Sequence, residues 1–326
     1  MEVHNTLEQS YGENYELWSQ DCGWPYSDTR QFRLDQALTL ERLSITYMHQ
    51  GWNLRLGKQA LNWGSARFIQ PSDVVPENRL AEPWLERSGH WAARLDVSIG
   101  SDDDASIAVL ESQEQPLGVL RWQRRWSALD VALVSIHRAE DSRFAIDSKG
   151  DLGLFSLWLE SSFQVAHGPQ PAWWRSLKSS AGVDTSVLLL DGWYFGTQLS
   201  YDGSGETDPG YYDWMARWPD HLWPDPCPDA PFPDQPDFRQ TLGRWYGLLF
   251  SELKLTPELR INGAGLLNLS DRSALWFSSV EWWVNDSVSW TNGLRFSAGE
   301  GEFMSTQLGQ PQLPQWTALS WMHWRI

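Results

Sequence analysis

Most of the chain alternates hydrophobic and polar residues with a period of two. Between residues 287 and 298, Trp290, Leu294 and Phe296 fall on one face, and Thr291 and Arg295 fall on the other. The same alternation recurs in the segments 91–99, 153–165 and 259–269. A period of two predicts β-strands that have one apolar and one polar face.

The alternation predicts about sixteen strands, and fourteen to eighteen would also fit. The strands are assigned to 2–12, 31–48, 51–60, 91–100, 105–112, 117–125, 129–138, 142–147, 152–166, 180–190, 192–202, 238–255, 258–269, 274–284, 287–298 and 316–326. Short turns, such as those at 50–51 and 285–286, alternate with long polar connections at 61–90, 167–179, 203–237 and 298–315.

This arrangement is typical of an all-β fold, the transmembrane antiparallel β-barrel, with short periplasmic turns and long extracellular loops. A bilayer requires every backbone amide to be paired within a closed sheet, and the sheet then has a lipid face and a lumen face. A large soluble β-sandwich or propeller is the alternative, but it leaves the alternation of turn lengths unexplained. We therefore expect residues 1–326 to form a single outer-membrane barrel domain.

The composition supports the barrel and limits the classes of molecule that the protein can bind. The 326 residues include 42 Asp and Glu against 25 Lys and Arg, a net charge of −17, which argues against a nucleic-acid partner. Trp is abundant at 23 residues, and Trp prefers the two membrane interfaces. No stretch approaches the roughly 18 apolar residues of a membrane helix. We expect a bacterial outer-membrane protein in contact with lipid and lipopolysaccharide, although the first residues show no secretory leader.

The alternation places charged side chains of both signs on the polar face, which a barrel turns toward its lumen. These predicted pore-lining residues are Arg42, Arg55, Arg94, Asp96, Arg121, Arg125, Glu160, Asp184, Arg260, Glu281 and Arg295. Opposed rows of acidic and basic groups across a hydrated lumen would select solutes by charge. The alternative for any one of them is a solvated or paired wall residue without a role in selectivity.

One stretch resembles a motif of a known family. The sequence Leu54-Arg55-Leu56-Gly57-Lys58-Gln59 is followed by Trp63-Gly64 and then by Pro71 and Asp73. It is similar to the L-R-x-G-[RK]-Q-x-x-x-W-G and P-x-D stretch of porin-like outer-membrane proteins of proteobacteria, which include alginate-export-type barrels and related uncharacterised families. The resemblance implies that the following loop, about 62–90, folds into the lumen as a constriction. A loop anchored by Trp and packed at the rim is the alternative.

Two further features concern the long-loop side. Cys22 and Cys227 are the only cysteines, and both fall in loops expected to be extracellular, where a disulfide between them is favoured over two free thiols. The loop 203–237 is rich in Asp, Trp and Pro. It is expected to be a solvated acidic loop, with Ca²⁺ binding, stacking on sugar rings or contact with a protein partner as the alternatives.

The sequence gives little support to an enzyme. Its histidines lack metal-ligand spacing, and there is no nucleophile elbow, P-loop or dinucleotide fingerprint. We expect a non-enzymatic channel for passive diffusion of small hydrophilic solutes, with no cofactor and no metal. Two alternatives stay open. One is a plugged structural or receptor barrel that binds a partner or assembles through its loops, as a homo-oligomer or with another protein. The other is a membrane enzyme at the rim, using His167 or His221.

Overall fold

A computed structural model describes most of the sheet and part of the loops. The described residues are 2–11, 30–39, 42–61, 63–74, 89–111, 116–139, 141–168, 172–189, 191–208, 242–285, 287–299, 302 and 316–324. The strands are β1 (Glu2–Tyr11), β2 (Arg30–Thr39), β3 (Leu43–His49), β4 (Trp52–Gln59), β5 (His90–Ile99), β6 (Asp103–Leu110), β7 (Leu117–Trp126), β8 (Leu129–His137), β9 (Asp141–Leu152), β10 (Phe155–Ala166), β11 (Leu177–Val187), β12 (Trp193–Asp202), β13 (Trp245–Thr256), β14 (Leu259–Asn268), β15 (Ala274–Asn285), β16 (Val288–Ala298) and β17 (Trp316–Trp324). A 3₁₀ helix, Trp173–Ser176, precedes β11.

The strands form one antiparallel sheet that curls on itself. Each strand from β3 to β16 pairs with the next along the chain. The last strand, β17, then pairs with β1, and β1 pairs with β2. Within the described part of the chain no ladder joins β2 to β3, so the ring has one seam.

The seventeen strands in the described part of the chain fill sixteen positions around the ring, because β2 and β3 share one position. Each antiparallel pair reverses the strand direction. Counting these reversals from β2 through β1 and β17 round to β3 gives β2 and β3 the same direction, as expected for two parts of one strand position. The sequence predicted one strand with a bend at 31–48, and the structure describes two strands in that range, one ending at Thr39 and the next beginning at Leu43. The ladder with β1 ends where Thr39 pairs with Glu2, the first residue of β1, and β3 then pairs only with β4. The predicted fold class and strand count are otherwise confirmed.

The strand predicted at 142–147 is present, but its predicted end was wrong, because β9 runs on to Leu152. The sequence 148–151 reads as a turn, yet Gly150 stays in the ladder opposite Leu129 and Leu157. The chain reverses instead at Gly153, whose φ of +64° lies in the left-handed region that glycine favours. The structure therefore moves this hairpin turn towards the C-terminus and makes β9 a full-length strand.

The connections differ in length between the two ends of the sheet. At one end, called here the short-turn end, the connections run from two residues at 127–128 to five at 188–192. Every connection longer than five residues lies at the opposite, long-loop end, including 60–89 and 203–244. This is the arrangement expected of an outer-membrane barrel.

The outward face of the sheet is apolar and exposed. In β16 the outward residues Trp290, Leu294 and Phe296 are 42–48% exposed, while the inward Thr291 and Arg295 are buried. Exposed outward tryptophans form two belts, with Trp126, Trp193, Trp282 and Trp290 toward the short-turn end and Trp91, Trp245, Trp276 and Trp316 toward the long-loop end. Such belts mark the two membrane interfaces, so the predicted aromatic girdle is confirmed. No helix among the described residues is long and apolar enough to span a membrane.

A charge placed on the outward face tests whether that face meets lipid. Leu159, near the middle of β10, and Leu152, at the short-turn end of β9, are both exposed. We expect Leu159→Arg to lower the free energy of unfolding in lipid vesicles by about 2–4 kcal/mol and Leu152→Arg by less than about 1 kcal/mol, because the cost of a cation falls from bilayer midplane to interface. Urea titration of both variants measures this. Equal, small effects would contradict a membrane-facing surface.

Candidate functional site

Residues 63–74, called here the inner segment, leave β4 and lie against the inward face of the sheet. The turn inward begins at the end of β4. Gly57 has a φ of +125°, and a Cβ there would overlap the Leu43 carbonyl oxygen on β3. Gln59 is buried, and its Nε2 donates to the Ala92 carbonyl oxygen of β5 at 3.1 Å. These contacts fix where the chain leaves the wall.

The carboxylate of Glu160, on β10, is the main anchor of the inner segment. It accepts hydrogen bonds from the Ala66 amide, from the Ser72 amide at 3.2 Å and from the Ser72 hydroxyl at 2.9 Å. Gly64 packs so closely that an added Cβ would lie 2.5 Å from Glu160 Oε1. The Glu160 side chain is fully buried, and no Lys or Arg in the described part of the chain lies within ion-pair distance of it. Donors from the segment therefore take the place of a counter-ion.

Strands β11 and β12 hold the middle of the inner segment. The Arg67 amide donates to Gln198 Oε1 at 2.6 Å, and Gln198 Nε2 donates to the Ile69 carbonyl oxygen at 3.3 Å. The Ser180 hydroxyl donates to the same carbonyl at 2.8 Å. Side chains of the wall thus satisfy backbone groups that an irregular segment cannot pair within itself.

Strand β9 holds both ends of the inner segment. The Ser65 hydroxyl donates to Asp147 Oδ2 at 3.0 Å. The Arg143 guanidinium donates to the carbonyl oxygens of Asp73 and Val74. The segment is therefore tied to the wall along its described length.

Two apolar clusters complete the packing of the inner segment. Trp63 and Val74, with Leu61 just before the segment, are buried with inward residues of β5 to β9, which are Ala92, Ala108, Leu110, Leu117, Val119, Val134, Ile136 and Ala145. Phe68 and Ile69 pack with inward residues of β13 to β15, which are Tyr246, Leu248, Leu266, Leu275 and Phe277. Together with the hydrogen bonds to β10, β11 and β12, the contacts reach every strand from β5 to β15.

The predicted pore-lining residues separate into small groups. All except Arg42 lie on the inward face of strands, whereas Arg42 is exposed just before β3. The guanidinium groups of Arg94 and Arg121 lie 5.3 and 5.9 Å from the ring centroid of Trp63. Asp96 pairs with Arg94 at 2.8 Å. The structure therefore gathers these predicted residues around one end of the inner segment.

Most of the remaining predicted charges contact neighbours on their own parts of the wall, whereas the buried Asp184 lies 4.0 Å from Arg67 of the inner segment. Arg125 lies 3.4 Å from Asp104, and Arg260 lies 4.0 Å from Glu281. The Arg55 Nε donates to the Thr46 hydroxyl at 3.2 Å. Arg295 is buried. Glu160 faces inward as predicted, but the inner segment covers it, so it does not line open space.

The residues of the family-like motif all contribute to the inner segment or to its start. Gly57 and Gln59 direct the chain inward, Trp63 anchors one end, and Gly64 permits the approach to Glu160. Pro71 is buried, and Asp73 is buried with its Oδ1 accepting from the Val74 amide at 3.1 Å. The sequence missed Arg67, whose guanidinium donates to the Tyr194 hydroxyl of β12, and it missed Gln198, because nothing in the alternation relates a loop residue to a distant strand.

Several predictions for the long-loop side fall on residues that the structure does not describe. Cys22, Cys227, His221 and most of 203–237 lie outside the described residues. His167 is described at the long-loop end. Its Nδ1 donates to the Ala139 carbonyl oxygen at 2.8 Å, and its Nε2 lies 3.1 Å from the Ser142 hydroxyl. In the described ranges, no group of His, Cys, Asp and Glu is arranged to hold a metal ion.

Comparison with known proteins supports the fold. No family model matches the sequence, and no curated protein matches it. OccK11 (OpdR) of Pseudomonas aeruginosa matches with a TM-score of 0.51 and 11% identity over 99% of this chain and 94% of that one. OccAB4 of Acinetobacter baumannii matches with a TM-score of 0.53 and 8% identity over 99% and 96%.

A third solved structure is that of Wzi, an Escherichia coli outer-membrane protein involved in group 1 capsule assembly and described as a carbohydrate-binding β-barrel. It matches with a TM-score of 0.53 and 9% identity over 98% of this chain and 83% of that one. Because the identities are low, the three likenesses show the fold alone. That fold is a porin-like outer-membrane β-barrel.

Removing the anchor of the inner segment should free the segment without unfolding the barrel. In Glu160→Ala, three buried donors lose their acceptor, and we expect a loss of about 3 kcal/mol in the free energy of unfolding. A cysteine placed by Ser65→Cys, in a Cys22→Ser and Cys227→Ser background, should react with maleimide faster once Glu160 is replaced. Gln164→Ala, an inward change on the same strand, is the control. Equal labelling rates with and without Glu160 would show that this carboxylate does not hold the segment.

Proposed function

We propose that the protein is a channel of the bacterial outer membrane through which small hydrophilic solutes diffuse passively, narrowed by the inner segment. The observation that carries the proposal is the inner segment itself, an irregular stretch held inside the barrel by hydrogen bonds to β9, β10, β11 and β12. Irregular backbone at membrane depth is tolerated where protein buries it or where it lines a water-filled cavity. The porin-like fold is consistent with this function.

The mechanism needs no cofactor and no chemical step. Solutes would pass between the inner segment and the part of the wall that the segment leaves uncovered. Charged groups on the inward face, such as Arg55 of β4, would favour or exclude them by sign. Transport would follow the concentration gradient. Outside the barrel, the apolar face and its tryptophan belts would contact lipid and lipopolysaccharide.

A second candidate is a plugged barrel that serves as a receptor or assembly partner. It is favoured by the extent of packing, since the inner segment takes part in two buried apolar clusters on opposite sides of its course. The long acidic connection 203–237 would then meet the partner, as a protein or as a second copy of this chain. The carbohydrate-binding description of Wzi makes a saccharide ligand a further case of this candidate.

Single-channel recording distinguishes the two candidates. The refolded protein in a planar bilayer is expected to give steady, ohmic current steps. Glu160→Ala is expected to give a larger unit conductance, because the inner segment has lost its main anchor and obstructs the lumen less. Gln164→Ala should conduct like the natural protein.

The amount of inserted protein must be known for the recording to decide. Protease protection in vesicles made from the same lipid supplies that measure. A sealed bilayer with inserted natural protein would overturn the channel and favour the plugged barrel. If Glu160→Ala has the same unit conductance as the natural protein, the protein is a channel but the inner segment is not its constriction.

A further inference from the structure

We infer that Arg67 contributes more than any other residue to the charge selectivity of the lumen, favouring small anions over small cations. The inference rests on the proposed channel function and deepens it by naming the residue and the sign. Arg67 lies near the middle of the inner segment, between the two apolar clusters that hold the segment at Trp63 and at Ile69.

Exposure separates Arg67 from the rest of the inner segment. Among residues 63–74 only Arg67 is exposed to solvent, and its side chain is 48% exposed. The other ionisable residue of the segment, Asp73, is 4% exposed. A solute that reaches the segment therefore meets one charge on it, and that charge is positive.

The wall carboxylates near this part of the segment are covered. Asp147 and Asp184 are each 7% exposed, and Glu160 is fully buried. They bind donors of the inner segment, so their charge is held behind it. Electrostatic interactions weaken across solvent, and an accessible charge therefore acts on a passing ion more strongly than a covered one at greater distance.

Contacts on several sides hold the Arg67 guanidinium in place. It donates to the Tyr194 hydroxyl, and its central carbon lies 5.4 Å from the Tyr194 ring centroid and 5.5 Å from that of Phe250. Its Nη2 lies 4.0 Å from Asp184 Oδ2. Guanidinium stacks well on aromatic rings and has five N–H donors, more than these contacts use. The group is thus fixed in position and still able to attract an anion.

Asp184 reduces the positive potential of Arg67 without cancelling it. The side chain of Asp184, taken alone, is 9% exposed and that of Arg67 is 48% exposed. Water and a passing ion therefore reach the guanidinium far more readily than the carboxylate. The asymmetry determines the sign that we expect. At this level of the lumen the local concentration of anions rises and that of cations falls.

Reversal potentials across a potassium chloride gradient test the inference. Removal of one unit charge about 4 Å from a passing ion changes its local concentration in water about fivefold. The change has opposite signs for potassium and chloride, and Asp184 offsets part of it, so we expect Arg67→Gln to raise the ratio of potassium to chloride permeability by about fivefold to about 25-fold. Arg67→Glu should raise the ratio further. Arg67→Lys keeps the charge and should stay within about twofold of the natural protein.

A matched control removes an equal charge elsewhere on the inward face. Arg125 is 55% exposed and pairs with Asp104 at the short-turn end, as Arg67 pairs with Asp184. Arg125→Gln should shift the permeability ratio by less than about twofold. A shift in Arg125→Gln as large as that in Arg67→Gln, or no shift in any Arg67 variant, would overturn the assignment.

Failure of the channel proposal has a different signature. If the natural protein inserts and passes no current, the channel itself is wrong and the inference falls with it. If it conducts and the Arg67 variants conduct with unchanged selectivity, the channel stands and only the role of Arg67 is wrong. Arg67→Lys controls for misfolding, because it keeps the charge. If Arg67→Lys loses selectivity as Arg67→Gln does, the loss comes from a displaced side chain and not from the missing charge, and the inference is wrong.

Discussion

The structure depends on one constraint, which is that every backbone amide crossing a bilayer must find a partner in the sheet. An unpaired amide in hydrocarbon costs several kcal/mol, so the strands pair around a ring and leave one seam, between β2 and β3. The antiparallel ladder then forces side chains to alternate between two surroundings. Leu159 and Glu160 are neighbours in sequence, yet one is exposed on the outward face and the other is fully buried inside.

The same demand for paired amides explains how an irregular stretch persists inside the barrel. The inner segment has no ladder of its own, so its amides and carbonyls need partners from the wall. Glu160, Ser180 and Gln198 supply them from three adjacent strands. The polar half of the alternation is therefore more than a lining for water. Part of it is a set of hydrogen-bonding groups matched to one stretch of chain.

The period-two pattern was enough to predict most of the fold. It placed all sixteen strand positions, the apolar outward face and the tryptophan belts, because those follow from local alternation. It did not separate β2 from β3 and it missed the pairing of Gly150, because both outcomes depend on which residue lies opposite on a neighbouring strand. A turn-like composition at 148–151 could not reveal that Gly150 is paired on both sides.

The site was less predictable than the fold. Alternation showed that Glu160 points inward, but it could not show that the inner segment covers it. Arg67 escaped notice because its neighbours carry no alternation and its contacts are far away in sequence. The family-like motif was more informative, since Gly57, Gln59, Trp63 and Gly64 act where the chain turns inward. A motif of this kind indicates where the backbone changes direction, whereas periodicity indicates only on which face of the sheet a side chain lies.

The inner segment also constrains the order in which the molecule can be built. Its partners lie far along the chain, from Asp147, 82 residues after Ser65, to Gln198, 131 residues after Arg67. The segment is synthesised long before β12 exists, and its final contacts must wait for the later strands to curl around it. Closure of the ring and filling of its interior are therefore linked events. Contacts so distant in sequence carry a high entropic cost until they form, and they make assembly slow.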